Sequence, residues 1–294
     1  MTPPSPLPRA APPPPPTPPR RPAPPDACDA HIHMLAAPHE APLWDGRVED
    51  PAEGWTFADH LAAYRDVQAA LGTSRTVVVQ SILYGADNSL LARTIDALGP
   101  ERTRGIGLVT DAATEADLNG LVAAGIVGIR LNYVHGGVLT WDGVEALAPR
   151  LAARGLHVQM LLRADRHLTE LADRIAALPV PVVLDHIAWP DLAAGPEEPG
   201  FRRLMDLVAA GDVHVKLSAL YRHCPAPFDA ADDHVRALLT ANPGACLWGT
   251  DWPHIMLAGT SPGPVGAMLD AFDRVCPDDA TRQAVLVHNP ARLY

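Results

Sequence analysis

Eight short apolar stretches, each followed by a longer amphipathic one, run from about residue 26 to the end of this 294-residue chain. The short stretches read as strands over residues 27–33, 76–81, 104–109, 127–132, 157–162, 180–186, 213–218 and 246–251. The longer ones read as helices over 57–71, 88–98, 115–124, 144–154, 168–177, 200–210, 229–241 and 281–287. Several of these helical patterns end in glycine, as at Leu71-Gly72 and Arg154-Gly155, where a left-handed residue closes a helix. Strands alternating with helices argue for a parallel sheet. Eight such units in one α/β domain of roughly 250 residues point to a (β/α)8 (TIM) barrel over residues 26–294. No Gly-x-Gly-x-x-Gly follows the first strand, so a dinucleotide-binding fold has no support.

Residues 1–25 are dominated by proline and carry only Arg9, Arg20, Arg21 as cations. Such a segment cannot bury a core of its own and is expected to be disordered or polyproline II, a solvated tail ahead of the domain. No apolar stretch follows Arg20-Arg21, which argues against a twin-arginine signal. The net charge of −11 argues against nucleic acid. No apolar run approaches the roughly 18 residues that span a bilayer. Cys28, Cys224, Cys246 and Cys276 show no Cys-x-x-Cys spacing and read as reduced thiols of a cytoplasmic protein.

In such a barrel, chemistry sits at the C-terminal ends of the strands, and polar residues recur there. Strand one ends in His31 and His33, two apart and so on one face, with Ile32 turned away. Strand two ends in Gln80-Ser81, strand four in Arg130 and Asn132, and strand five carries Gln159. Strand six ends in Asp185-His186, strand seven in Lys216 and Ser218 with Arg222 beyond, and strand eight in Asp251 with His254 following.

These residues, in the motifs Asp-Ala-His-Ile-His (29–33), Gly-Ile-Arg-Leu-Asn (128–132), Leu-Asp-His (184–186), Val-Lys-Leu-Ser-x2-Tyr-Arg (215–222) and Trp-Gly-Thr-Asp-Trp-Pro-His (248–254), resemble the amidohydrolase superfamily. The similarity runs from about residue 26 to 294 and is strongest to its lactonase branch, whose members open pyrone-dicarboxylate and sugar-acid lactones. The resemblance implies a hydrolase acting on a small carboxylate-bearing lactone, with a homo-oligomer as one open state of assembly.

The metal-dependent members hold their ion with the strand-one histidines, a strand-four or strand-five ligand and the strand-eight aspartate. Here strand four offers Arg130, a cation, and strand five offers Gln159. No cofactor is therefore expected. Were the enzyme metal-dependent, His31, His33 and Asp251, with His186 nearby, would hold one zinc or manganese ion. Without metal, Asp251 is expected to take the proton of the attacking water. His31, His33 and His186 would donate to the developing oxyanion. Arg130 and Arg222 would clamp the substrate carboxylate, with Ser81, Asn132 and Tyr133 adding polar contacts. Asp185 is expected to face away from the barrel, and Lys216 to sit inside it. The stretch Tyr133–Gly137 lacks the further arginine of the pyrone-dicarboxylate member, and His135 is the partial substitute. Two other readings compete: a metal-dependent hydrolase or decarboxylase of the same superfamily, and an inactive barrel that binds a partner through its proline tail.

Overall fold

The computed structural model describes residues 7–294. Eight parallel strands follow one another around a barrel in chain order: β1 (Cys28–Ile32), β2 (Arg75–Val79), β3 (Thr103–Gly107), β4 (Ile126–Asn132), β5 (His157–Leu161), β6 (Val182–Leu184), β7 (Val213–Leu217) and β8 (Cys246–Trp248). The helices that cover it are α1 (Phe57–Leu71), α2 (Ser89–Leu98), α3 (Glu115–Ala123), α4 (Trp141–Ala152), α5 (Ala164–Ala176), α6 (Pro199–Ala210), α7 (Asp232–Ala241) and α8 (Val265–Val275). A short α9 (Asp279–Gln283), a π turn (Ala284–His288) and α10 (Asn289–Leu293) finish the chain.

Local sequence explains several boundaries. Thr56 accepts from the Asp59 N–H while Asp59 accepts from the Thr56 N–H, a reciprocal cap that starts α1. Thr114 and Asp117 repeat it at α3. Gly72 ends α1 at φ 81°, a conformation that costs glycine nothing.

Helix α8 falls outside the helices expected from sequence. Its buried Val265, Met268, Leu269, Phe272 and Val275 follow helical spacing and pack against the barrel. Each such side chain contributes roughly 1.5–3 kcal/mol relative to exposure. The Gly- and Pro-rich run 259–264 separates it from β8 and hides the strand–helix rhythm.

Small apolar side chains fill the barrel interior: Cys28, Ala30, Val77, Val79, Ile106, Val183 and Leu247. The four cysteines are free, three of them buried. On β1, Asp29 pairs with Thr76 but Ile32 with Val78, so β1 carries one extra residue. This bulge shifts the side-chain alternation. Cys28 and Ala30 face inward before it, and the inward face continues as His31 and His33 rather than Ile32.

The seam between β1 and β8 closes beyond the end of β8. Asp251 N–H donates to His31 O at 2.8 Å and His33 N–H to Trp252 O at 2.7 Å. A Cβ on Gly249 would lie 2.7 Å from the His31 nitrogen, so only glycine allows this approach. Buried Asp29 pins the seam, accepting from Thr250 N–H at 2.9 Å and Thr250 Oγ1 at 2.7 Å. Burial raises its carboxyl to about 6 against the pull of those bonds.

The described part of the proline segment, from residue 7 on, differs from the solvated tail expected; residues 1–6 lie outside the described residues. Ala10 N–H donates to Asp50 O and Asp50 N–H to Pro8 O, both at 2.8 Å. Ala23 N–H donates to Leu71 O at 2.8 Å, and the Arg282 guanidinium donates to the Arg21 and Pro22 carbonyls. Proline arrives with φ already fixed, so laying it along α1 and α8 costs little backbone entropy. Among the described residues, no helix is long and apolar enough to cross a membrane.

Candidate active site

The bulge on β1 delivers two imidazoles to the C-terminal mouth. His33 Nδ1 lies 2.8 Å from Val79 O. A carbonyl only accepts, so Nδ1 carries a hydrogen and the ring turns its Nε2 to the site. His31 is fully buried between two carboxylates, its Nδ1 3.3 Å from Asp185 Oδ1 and its Nε2 3.5 Å from Asp251 Oδ1. Neither nitrogen makes a well-aligned hydrogen bond.

Asp185 corrects the sequence expectation. It lies two residues past inward-facing Val183 and shares its face. It is fully buried in the site, where Arg130 Nε and Nη2 both donate to its Oδ2 at 3.0 Å. His186 then enters by a different route: residues 186–189 all have positive φ, 56°, 49°, 58° and 43°. This left-handed turn brings His186 Nδ1 to 2.9 Å from Ser218 Oγ and its Nε2 to 3.8 Å from Asp251 Oδ1.

Asp251 is where these residues converge. Its Oδ2 accepts from Tyr221 Oη at 2.5 Å and from Arg222 Nε and Nη2 at 3.3 and 3.1 Å. Its Oδ1 has no hydrogen-bond donor and faces the Nε2 atoms of His31, His33 and His186 at 3.5, 3.4 and 3.8 Å. Burial opposes its charge, but His186 and Arg222 outweigh that and hold the carboxyl well below the usual range. Asp185 is held down likewise, burial being overcome by His31 and Arg130. Burial lowers His31 well below the ordinary imidazole range and His186 to about 4, so both rings are neutral at neutral pH.

Lys216 lies inside the barrel as expected, donating to Gln159 Oε1 at 2.6 Å and standing 4.0 Å from Asp185 Oδ1. Burial lowers its ammonium to about 8. His254 is buried beside Tyr221, both ring nitrogens unpartnered.

Of the expected substrate contacts, Arg130, Asn132 and Arg222 line the cavity together with His135 and Trp189. Arg222 is largely committed, since it also donates to the Ile255 and Met256 carbonyls. Among the described residues, no acceptor is bonded to Arg130 Nη1. Ser81 and Tyr133 fall outside the cavity lining. Ser81 Oγ caps the turn at Leu83, and Tyr133 packs edge-on against His167 at the surface. Tyr221 and Asp29 escaped the sequence reading, although both lie inside its motifs.

His31, His33 and Asp251 could hold a metal ion, as could His31, Asp185 and His186. Tetrahedral ligands about 2.0–2.1 Å from zinc stand ~3.4 Å apart, close to the Nε2–Oδ1 separations here. Donor type and spacing therefore fit a small divalent ion. The charge around them opposes one, because Arg130, Arg222 and Lys216 already offset the carboxylates of Asp185 and Asp251.

Known proteins share this arrangement of chain and fold. The chain is 32% identical over 284 residues to a 2-pyrone-4,6-dicarboxylate hydrolase of Comamonas testosteroni, covering 92% of this chain and 90% of that one. It is 31% identical over 279 residues to a 4-sulfomuconolactone hydrolase of Rhizobium radiobacter, with the same coverage. The crystal structure of a probable 2-pyrone-4,6-dicarboxylic acid hydrolase from Acinetobacter baumannii superposes with a TM-score of 0.78 at 21% identity, covering 91% of this chain and 98% of that one. The family profile described as amidohydrolase matches residues 28–294, and the chain belongs to the amidohydrolase family.

Proposed function

We propose that the protein is a lactone hydrolase acting on a small carboxylate-bearing substrate, with Asp251 as the general base. The observation that carries this reading is the convergence of Asp251 Oδ1 with the Nε2 atoms of His31, His33 and His186 beneath the cavity. Relatives that hydrolyse a pyrone dicarboxylate and a sulfomuconolactone support the substrate class.

A water entering the floor meets the Asp251 carboxylate, so one hydrogen turns toward Oδ1 and a lone pair toward the mouth. Attack on the lactone carbonyl carbon transfers one water proton to Asp251 Oδ1. As the carbonyl oxygen gains charge it needs donors. Of the three histidines expected to serve the oxyanion, His186 lines the cavity with its Nδ1 held at Ser218 Oγ. If Ser218 Oγ donates to His186 Nδ1, the hydrogen sits on Nε2 and is free to be donated. Collapse breaks the ring C–O bond, and the ring oxygen leaves with the proton held by Asp251. Arg130 Nη1 receives the substrate carboxylate, and Asn132 borders it.

No ion is needed for these steps. A divalent ion on His31, His33 and Asp251, with His186 nearby, would polarise the carbonyl and acidify water, and the tetrahedral spacing of those donors favours this as the second reading. Turnover of a panel of carboxylated lactones by the purified protein tests the proposal, and an inactive binding barrel would turn over none.

A further inference from the structure

The free space around the catalytic side chains is about 30 Å³, room for one or two waters. A carboxylated lactone needs several times that, since ligand pockets commonly span about 300–1,000 Å³. Part of the wall must therefore move. Arg130, Asn132 and Leu161 belong to barrel strands and are held by their ladder. Ile255 and Met256 line the same cavity from residues 253–264, which form no helix or strand between β8 and α8. His254, Met256 and Ala258 sit at φ 68°, 54° and 48°, left-handed states that such residues keep only where something holds them.

Two side chains do the holding. Among the described residues, the stretch 255–263 hydrogen-bonds outside itself only at Ile255 and Met256. Arg222 Nη2 and Nη1 donate to the Ile255 and Met256 carbonyls at 3.0 and 3.3 Å, and Met256 N–H donates to Glu49 Oε2 at 2.8 Å. Arg222 also binds Asp251 and so belongs to the catalytic group. Glu49 does not. It is a buried carboxylate, and Met256 N–H is its one hydrogen-bond donor among the described residues. Burying a carboxylate is costly, which makes that single bond the reason to look for. The loop that carries Glu49 is itself fixed. Asp50 N–H donates to Pro8 O and Ala10 N–H to Asp50 O, both at 2.8 Å, and Arg47 Nε donates to Asp50 Oδ1 at 2.7 Å. The side free to move is 254–258.

We propose that residues 254–258 are a lid that lifts to admit the substrate, and that Glu49 is the positioning residue that latches it shut through Met256 N–H. That the admitted molecule is a lactone rests on the proposed hydrolase activity; the lid itself does not.

Hydrogen exchange and histidine modification read the lid without a substrate. In wild type, the amides of 254–258 should exchange by local opening, at a rate flat in dilute urea, whereas core strand amides exchange faster as urea rises. His33 and His186, buried beneath the lid, should react with diethyl pyrocarbonate through the same opening, also flat in dilute urea. Glu49→Ala should speed both readouts about ten- to a hundredfold, the scale of one hydrogen bond to a charged group. Glu49→Gln keeps an acceptor oxygen and should restore much of the protection. The lid is overturned if, in wild type, exchange of 254–258 or modification of the two histidines rises with urea as the strand amides do. That measurement stands even if Glu49→Ala does not fold. The latch is overturned if Glu49→Ala leaves the exchange of 254–258 unchanged, or speeds it without speeding modification of His33 and His186. A protein that shows the expected pattern yet opens no lactone keeps the lid and loses the hydrolase reading.

Discussion

His33 Nε2 and Asp251 Oδ1 face each other across 3.4 Å, while His33 Nδ1 is held at 2.8 Å by the Val79 carbonyl. A buried carboxylate oxygen and ring nitrogen at that distance are costly unless a proton, a water or a cation joins them. Asp251→Asn keeps the shape and removes the acceptor. We expect kcat to fall by about 10²-fold or more with substrate affinity largely kept, and near-normal single-turnover rates in the variant would remove Asp251 from the base role.

The same pair decides the metal question. Protein dialysed against a chelator and shown by elemental analysis to be metal-free should retain its activity. Loss of turnover that zinc or manganese restores would establish the second reading.

Arg130 lines the cavity and also neutralises buried Asp185. Arg130→Met should lower kcat/KM for a carboxylated lactone about ten- to a hundredfold. It should also destabilise the fold by roughly 3–5 kcal/mol, the usual cost of stranding a buried charge. A melting temperature equal to wild type would show that Asp185 does not need this partner.

Acid should unfold the protein early. Burial lowers His157 and His223 to about 3 and His186 and His254 to about 4, against roughly 6.5 when unfolded. Above pH 6.5 both states are neutral and nothing is lost. As pH falls from 6.5 through 4, the unfolded chain takes up protons that the native state refuses, so stability declines. At pH 5 each contributes a loss on the order of 2 kcal/mol. Asp29, raised to about 6, acts in the opposite sense but is one group against four. Urea midpoints measured from pH 7 to pH 4.5 should drop steadily, and a flat profile would contradict the neutral burial of these rings.

Removing residues 1–24 deletes the Ala10, Ala23 and Arg282 hydrogen bonds to the barrel. At about 0.5–1.5 kcal/mol per bond, the melting temperature should fall on the order of 5–10 °C. An unchanged melting curve would return the segment to the status of a solvated tail.

Much of this was readable in the chain. All eight strands lie within or nearly within the expected stretches, because barrel strands are buried on both faces and read as short apolar runs. His31, His33, His186 and Asp251 meet in one site as their spacing implied. What escaped depended on departures from regular geometry. A bulge in β1 and a left-handed turn after β6 both break the alternation on which facing was judged, and so Asp185 was placed on the wrong side. Tyr221 lies outside any strand, where periodicity says nothing about direction. Helix α8 lay hidden behind a long glycine- and proline-rich connection.

Asp29 and Thr250 are 221 residues apart, and their bond pins the seam that sets His31 and His33 beside Asp251. Loop closure over such a span is the slowest kind of contact to form. The chain therefore cannot assemble this site in part: a nascent or truncated barrel lacking its last strand holds the imidazoles without Asp251. Catalytic competence and completion of the ring are one event, and regained turnover on refolding reports that the two ends of the polypeptide have found each other.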